Sequence, residues 1–316
     1  MKARITRIST YLPPGTLTSD EVERRIRGYH PPRGIVERMT GIRRRHVASD
    51  DQQASDLAVE AAKELAADVD LLIFASASQD LVEPATAHIV AAKLGLSCPV
   101  FDVKNACNSL LNGIQVAEGL IVSGSYRRVL VCSGETPSRA IRWEVRDRAQ
   151  FVDAFAGYTL SDAGAAVLVE ADPTRGIFYR DFSADSSAWV IGTLPGGGSM
   201  HPRDPDYSYF RGDGRRLKEA FELIGPDLFL NALKRTGLTW DDFAVIAVHQ
   251  VALPYLKVLS QALDLPEDRL VITLPDHGNC ASATLPLQLA HAREGDRVAL
   301  LGLGGGISLG VMLADL

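Results

Sequence analysis

Residues 102–114 read DVKNACNSLLNGI, a short extended run that leads into a helical pattern through one cysteine. The apolar residues after the cysteine recur at the spacing of a buried helical stripe: Leu110, Ile114, Ala117 and Ile121. This spacing predicts a helix from near Cys107 to Gly124, with the thiol at its N-terminus. There the unpaired N–H groups and the helix dipole favour a thiolate, the nucleophilic form of sulfur. The alternative is a small buried hydrophobe, the usual role of a free cysteine, and the stretch alone leaves both open.

Composition narrows the class of protein. The chain has 316 residues, of which 46% are hydrophobic, enough for two halves that each bury a core. A net charge of -6 lacks the basic footprint of nucleic-acid binding. The first residues lack the apolar core of a signal peptide, and no apolar run approaches the ~18 residues of a membrane span, so we expect a cytoplasmic protein. The four cysteines form no C-x-x-C pair or His/Cys cluster, so we expect no metal, disulfide or cofactor.

Strands and helices alternate along the first half. The continuous apolar run Leu71–Ala75 predicts a strand that is buried on both faces. Helices are predicted from Ser55 to Ala66, with Ser55 as the N-cap, and from Thr86 to Leu94. Such alternation indicates an α/β protein with mostly parallel sheets.

The second half repeats the first at a nearly constant distance. Asp56 and Asp227 are 171 residues apart, and Arg128 and Arg297 are 169 apart, each pair at the same place in a helix or strand pattern. This predicts a duplicated unit with halves at 1–172 and 173–316, although two unrelated βα units would also share composition. The segment 174–216 between the cores is rich in Gly, Ser, Asp and Pro, which predicts an excursion over a site rather than core.

The second half supplies polar groups at the ends of its predicted elements. His249 follows a buried strand, Asn279 precedes an apolar helix, and the run Gly304, Gly305 and Gly306 follows the predicted strand Arg297–Leu301. If the two halves face each other, these groups can meet Cys107. Acyl transfer needs a nucleophile, a proton acceptor or hydrogen-bond donor, and donors for an oxyanion. Each residue alone is more often structural, but together they favour the nucleophile interpretation of Cys107.

These residues resemble those of the thiolase-fold condensing enzymes, closest to the β-ketoacyl-acyl-carrier-protein synthase III group. The resemblance implies a five-layered αβαβα fold of two similar halves, a homodimer, and an active site at the base of a pantetheine-width tunnel. It implies that Cys107 takes an acyl group from a thioester on acyl carrier protein or coenzyme A. His249 and Asn279 would then activate the second thioester and stabilise its enolate. Backbone N–H groups of Cys107 and Gly306 would hold the oxyanion.

Four positions bear on which thioesters are used. Ile35 and Met39 stand where coenzyme A-dependent relatives carry Trp and Arg, and Pro254 stands where an Arg helps to dock the carrier protein. The residues that usually bind the acyl donor, coenzyme A or carrier protein, are therefore missing. Glu83 resembles the glutamate of olefin-pathway condensing enzymes, which enters the partner's tunnel as the base of a non-decarboxylative Claisen condensation. The alternative is a surface glutamate before a helix that begins at a proline.

Three functions fit the sequence. The leading hypothesis is condensation of two acyl thioesters to a β-keto product in fatty-acid or polyketide-type biosynthesis. The second is an acyltransferase that passes the acyl group from Cys107 to an alcohol, amine or thiol. The third is a non-catalytic partner subunit of a condensing enzyme, against which the three retained polar groups argue. Acyl chain length depends on the residues that line the tunnel, for which the candidates are Leu110, Phe151, Phe155, Trp189 and Phe210.

Overall fold

The computed structural model describes residues 1–316. Its strands are β1 (Lys2–Tyr11), β2 (Thr16–Thr18), β3 (Arg27–Gly28), β4 (Arg44–His46), β5 (Leu71–Ala75), β6 (Val100–Val103), β7 (Arg128–Glu135), β8 (Glu144–Val145), β9 (Ala163–Asp172), β10 (Ile177–Ala184), β11 (Gly192–Thr193), β12 (Arg211–Gly212), β13 (Val245–Val248), β14 (Arg297–Gly304) and β15 (Ser308–Asp315). Its α-helices are α1 (Ser19–Arg25), α2 (Ile35–Thr40), α3 (Ala54–Ala62), α4 (Thr86–Leu94), α5 (Ser109–Val122), α6 (Arg148–Ala154), α7 (Gly214–Ile224), α8 (Asp227–Thr236), α9 (Leu253–Leu263), α10 (Leu274–His277) and α11 (Thr284–Leu289).

Two mixed sheets organise the chain. The first has the strand order β1-β9-β7-β5-β6 and the second β10-β15-β14-β13. Within these two sheets only three strand pairs are parallel: β5 with β6, β5 with β7, and β13 with β14. The expectation of mostly parallel sheets is therefore wrong. A short turn joins β14 directly to β15, and such a turn can connect only antiparallel neighbours.

The two sheets share one topology. The strands β1, β9, β7 and β5 have counterparts in β10, β15, β14 and β13, with the same neighbours and the same parallel or antiparallel sense. Beyond β13, an isolated parallel bridge from Ile246 to Leu270 stands in the place of β6. We propose that the halves meet between Asp172, where β9 ends, and the segment that leads into β10.

Helices fill the space between the sheets and cover both outer faces. Helices α5 and α11 lie in the middle, where their side chains join one buried cluster with residues of both sheets. Helices α3 and α4 pack on the outside of the first sheet, and α8 and α9 on the outside of the second. This is the five-layered αβαβα arrangement. The predicted stripe of α5 is fully buried in the middle layer: Leu110, Ile114, Ala117 and Ile121.

A glycine lets the central helix approach the first sheet closely. A Cβ atom on Gly113 of α5 would lie 2.7 Å from both the Ala75 Cβ and the Val131 Cγ1 atoms. That is closer than packed carbon atoms allow, so any side chain here would push α5 off the sheet. The position of α5 also fixes the position of the Cys107 turn that precedes it.

Three local predictions are corrected by the structure. Helix α5 begins at Ser109, with Asn108 as the N-cap, and not at Cys107. Helix α3 is capped by Gln53 and not by Ser55, whose buried hydroxyl accepts a hydrogen bond from Lys93 at 2.7 Å. The predicted excursion is shorter than expected, because β10 lies within it and belongs to the second sheet. No helix is both long and apolar enough to cross a membrane.

Candidate active site

One cavity of about 1450 Å³ brings the predicted polar residues together. Cys107, His249, Asn279, Gly304 and Gly305 all line it, whereas Gly306 does not. Just over half of the lining residues are hydrophobic, and many come from α2, α6, α7 and α9. Of the predicted wall residues, Leu110 lies in the core and Trp189 is half exposed outside the cavity. The aromatic residues of its wall are Tyr29, Phe151, Phe155, Phe210, Phe221, Phe229 and Tyr255.

A tight turn between β6 and α5 presents Cys107 to the cavity. The residue before it, Ala106, has a φ of 47°, which is the left-handed region that a residue with a Cβ rarely adopts. The Ser109 hydroxyl stabilises this turn, because it donates to the Ala106 carbonyl at 2.7 Å and accepts from the Asn105 N–H at 2.8 Å. Next to Cys107, the Asn108 Nδ2 donates to the Ser308 carbonyl at 3.1 Å and so joins the two halves.

The surroundings of Cys107 oppose ionisation of its thiol. Burial raises its pKa to about 12, and the negative charge of Glu135 adds to the rise, while the Gly305 backbone N–H acts in the opposite direction. The lowered pKa that the sequence pattern favours is therefore not found at Cys107. Helix α5 begins two residues after Cys107, so its dipole does not offset the loss of water around the sulfur.

His249 stands directly after β13, where its N–H donates to the Leu301 carbonyl at 3.0 Å. Both ring nitrogens are buried and neither has a hydrogen-bond partner. Burial lowers the pKa of the imidazole to about 4, so the ring is neutral at pH 7. A neutral ring presents one N–H donor and one acceptor nitrogen, and neither is engaged by another group of the protein.

Backbone hydrogen bonds hold Asn279 in place and leave its side-chain nitrogen available to a ligand. Its N–H donates to the Thr159 carbonyl at 2.9 Å, and its carbonyl accepts from the Ser161 N–H at 3.0 Å. The side-chain oxygen accepts from the Ala281 N–H at 3.1 Å. That contact points the Nδ2 donors away from the turn, where their only contact is a long 3.5 Å approach to the Thr159 hydroxyl. Nothing in the sequence pattern marks Thr159 as part of the site.

The glycine run forms the turn between β14 and β15. A Cβ atom on Gly305 would lie 3.7 Å from the Ala106 Cβ, so this turn packs against the turn that carries the nucleophile. Gly306 has a φ of 99°, which favours glycine. The backbone N–H groups here and at the start of α5 are the donors available beside the Cys107 sulfur.

Glu83 lies outside the cavity of its own chain. It is exposed on the loop before α4, next to Leu81 and Val82, which are 51% and 72% exposed. Ile35 and Met39 line the cavity, and Pro254 lies in the first turn of α9. The structure thus brings together the Cys, His and Asn of the predicted set but not the glutamate.

Comparisons with known proteins agree over the whole chain. The family models of 3-oxoacyl-[acyl-carrier-protein] synthase III and of its C-terminal part match residues 101–186 and 233–316. A β-ketoacyl-[acyl-carrier-protein] synthase III of Xanthomonas campestris is 31% identical over 98% of this chain and 97% of its own length. Together, this fold and this site define a condensing enzyme of the thiolase fold.

Solved structures show the same architecture. The synthase III FabH of Pseudomonas aeruginosa PAO1 superposes with a TM-score of 0.86 and 26% identity, over 100% of this chain and 98% of its own. A histidine-to-alanine variant of Xanthomonas campestris OleA superposes with a TM-score of 0.87 and 25% identity, over 100% and 99%. The chain belongs to the 3-oxoacyl-[acyl-carrier-protein] synthase III family.

Proposed function

We propose that this protein takes a fatty acyl group onto Cys107 and joins it to a second acyl thioester by Claisen condensation. The observation that supports this most strongly is the single apolar cavity on which Cys107, His249 and Asn279 converge. A second observation supports the proposal: neither of the buried ring nitrogens of His249 has a hydrogen-bond partner. Unpaired buried polar atoms are costly, so they indicate a substrate group that completes them.

In the first step, the Cys107 sulfur attacks the thioester carbonyl and the carrier sulfur leaves. A carbon–sulfur bond forms as another breaks, and the proton of the Cys107 thiol passes to the departing carrier thiolate. The raised pKa of Cys107 favours this coupled transfer, because it disfavours a free thiolate in the cavity. Backbone N–H groups at the start of α5 and in the turn of Gly305 are suited to hold the transient oxyanion.

In the second step, another thioester loses a proton or CO₂ from its α-carbon, and negative charge moves onto its carbonyl oxygen as the enolate forms. The α-carbon of this enolate then attacks the acyl-cysteine. The neutral His249 ring and the Asn279 side chain both carry N–H groups, which can donate hydrogen bonds to that carbonyl oxygen. The new carbon–carbon bond releases the Cys107 sulfur, which regains a proton, and leaves a β-keto thioester.

The size of the cavity suits a fatty acyl chain. Small-molecule sites usually enclose about 300–1,000 Å³, and this cavity exceeds that range. Its apolar walls also exclude water, which protects an acyl-cysteine from hydrolysis. The chain lacks the usual residues that hold coenzyme A or a carrier protein, so the donor is a separate question from the acyl group.

We propose further that a second copy of the chain supplies Glu83. The exposed apolar side chains of Leu81 and Val82 beside it suit burial against a partner. A carboxylate that enters an apolar cavity becomes a stronger base, which suits removal of a proton next to a thioester without loss of CO₂.

Product analysis tests the function. The purified chain is incubated with lauroyl-CoA or lauroyl-carrier protein, and the products are identified by mass spectrometry. We expect a β-keto product in the wild type and none in Cys107→Ala. A product that is an ester or an amide of an added alcohol or amine would instead identify an acyltransferase, and it would overturn condensation.

A further inference from the structure

A buried carboxylate lies beside the site without a cation. Glu135 is the last residue of β7 and is fully buried. It takes part in none of the ion pairs of the structure, although burying an unpaired charge is costly. A carboxylate kept in such a place needs donors from the protein itself.

Hydrogen-bond donors surround the Glu135 carboxylate on both oxygens. One oxygen accepts from the Ala77 N–H at 2.9 Å and from the Ser282 hydroxyl. The other accepts from the N–H and the hydroxyl of Ser78, at 3.2 Å and 3.0 Å. The Ser282 hydroxyl is also 2.7 Å from that of Ser133. Ser78 belongs to the first half and Ser282 to the second, so one carboxylate joins the two.

Each tethered segment carries part of the site. Ala77 and Ser78 form part of the cavity wall. Ser282 ends the turn that begins at Asn279, and within that turn Ala281 has a φ of 47°, as Ala106 has before Cys107. Ala281 also donates the hydrogen bond that orients the Asn279 side chain. A shift of Ser282 would therefore turn the Asn279 amide.

We propose that Glu135 is a positioning residue of this site, which fixes the Asn279 turn of one half against the Ala77–Ser78 wall of the other. This inference rests on the proposed function for the role of Asn279. The charge of Glu135 reaches two titratable groups of the neighbouring turns, Cys107 and Cys280, and it opposes ionisation of both thiols. Glu135 thus has an electrostatic effect on Cys107 that a purely structural residue would lack.

Two readouts separately test the electrostatic effect of Glu135 on Cys107 and its positioning of the Asn279 turn. The first is the rate of Cys107 alkylation by iodoacetamide against pH, followed by peptide mass spectrometry. In Glu135→Gln the charge is gone, so we expect the titration of Cys107 to move to lower pH, with alkylation about tenfold faster at a fixed pH for each unit of the shift. Ser282→Ala keeps the charge and should leave this profile unchanged.

The second readout is the ratio of condensation to Cys107 acylation. Ser282→Ala loosens the Asn279 turn, so we expect condensation to fall at least tenfold while acylation stays within about twofold of wild type. Glu135→Asp, which keeps the charge, should retain more condensation than Glu135→Gln. The proposal is wrong if the alkylation profile of folded Glu135→Gln matches the wild type, or if Ser282→Ala leaves the ratio unchanged.

The first readout is independent of the proposed function, whereas the second depends on condensation. Alkylation needs only a thiol, so the first readout holds even if the enzyme condenses nothing. If Glu135→Gln does not fold, the ratio in Ser282→Ala decides the positioning role alone.

Discussion

Replacing His249 by leucine should make the protein more stable and less active. Both ring nitrogens of His249 are buried without protein partners, and leaving such a side chain unpaired costs about 1–3 kcal/mol. Leucine has no polar atom to leave unpaired. At pH 7.5 we therefore expect the free energy of unfolding of His249→Leu to exceed that of the wild type by about 1–3 kcal/mol.

Lowering the pH should increase this difference in the free energy of unfolding. The pKa of His249 is lowered to about 4 in the folded protein, against an ordinary value of 6.5. Between those values the unfolded chain binds a proton that the folded protein does not, so wild-type stability is lost as the pH falls through this window. At pH 5 the loss from this one group amounts to about 2 kcal/mol, whereas at pH 7.5 it is close to zero. His249→Leu lacks the group and escapes this loss.

Urea unfolding at pH 7.5 and pH 5.0 measures both effects, since all other titrating groups are common to the two proteins. Product formation is measured in parallel and should fall in the variant, while the acyl adduct on Cys107 persists. A wild type that is more stable than His249→Leu at pH 7.5, with the same pH dependence in both, would refute the claim that His249 is buried, neutral and unpaired.

Two further predictions concern the central helix and the partner's residue. Gly113→Ala should destabilise the protein by about 1–3 kcal/mol in urea unfolding, because its Cβ would lie 2.7 Å from Ala75 and Val131. Gly119→Ala on the same helix meets nothing within 4 Å and should stabilise by about 0.5–1 kcal/mol, and equal effects would contradict the close packing. Glu83→Gln should keep the acyl adduct on Cys107 but lose condensation. Coexpression with Cys107→Ala should restore activity in mixed dimers, and no restoration would exclude a base supplied by the partner.

The fold could be predicted largely from local patterns. The unbroken apolar run Leu71–Ala75 and the helix Thr86–Leu94 appear in the structure with the predicted bounds. The direction of the strands could not be predicted, because β9 and β15 are buried on both faces like parallel strands and yet run antiparallel to their neighbours. Burial shapes composition, whereas direction depends on connections that composition does not record.

The candidate site, like the fold, could be predicted only in part. The positions of Cys107, His249 and Asn279 at the ends of their elements were visible in the sequence, and the structure places all three on one cavity. The raised pKa of Cys107 was not visible, because it depends on burial and on Glu135, which is 28 residues away along the chain. Glu135 did leave a signal, since a carboxylate that ends the apolar run of β7 needs partners.

The central claim is that Cys107 carries the acyl group. The most direct measurement is the intact mass of the protein after incubation with lauroyl-CoA and, separately, with lauroyl-carrier protein. We predict one added lauroyl group, located on the peptide that contains Cys107 and removed by hydroxylamine, with no addition in Cys107→Ala. No adduct with either donor, or an equal adduct in Cys107→Ala, would contradict the account.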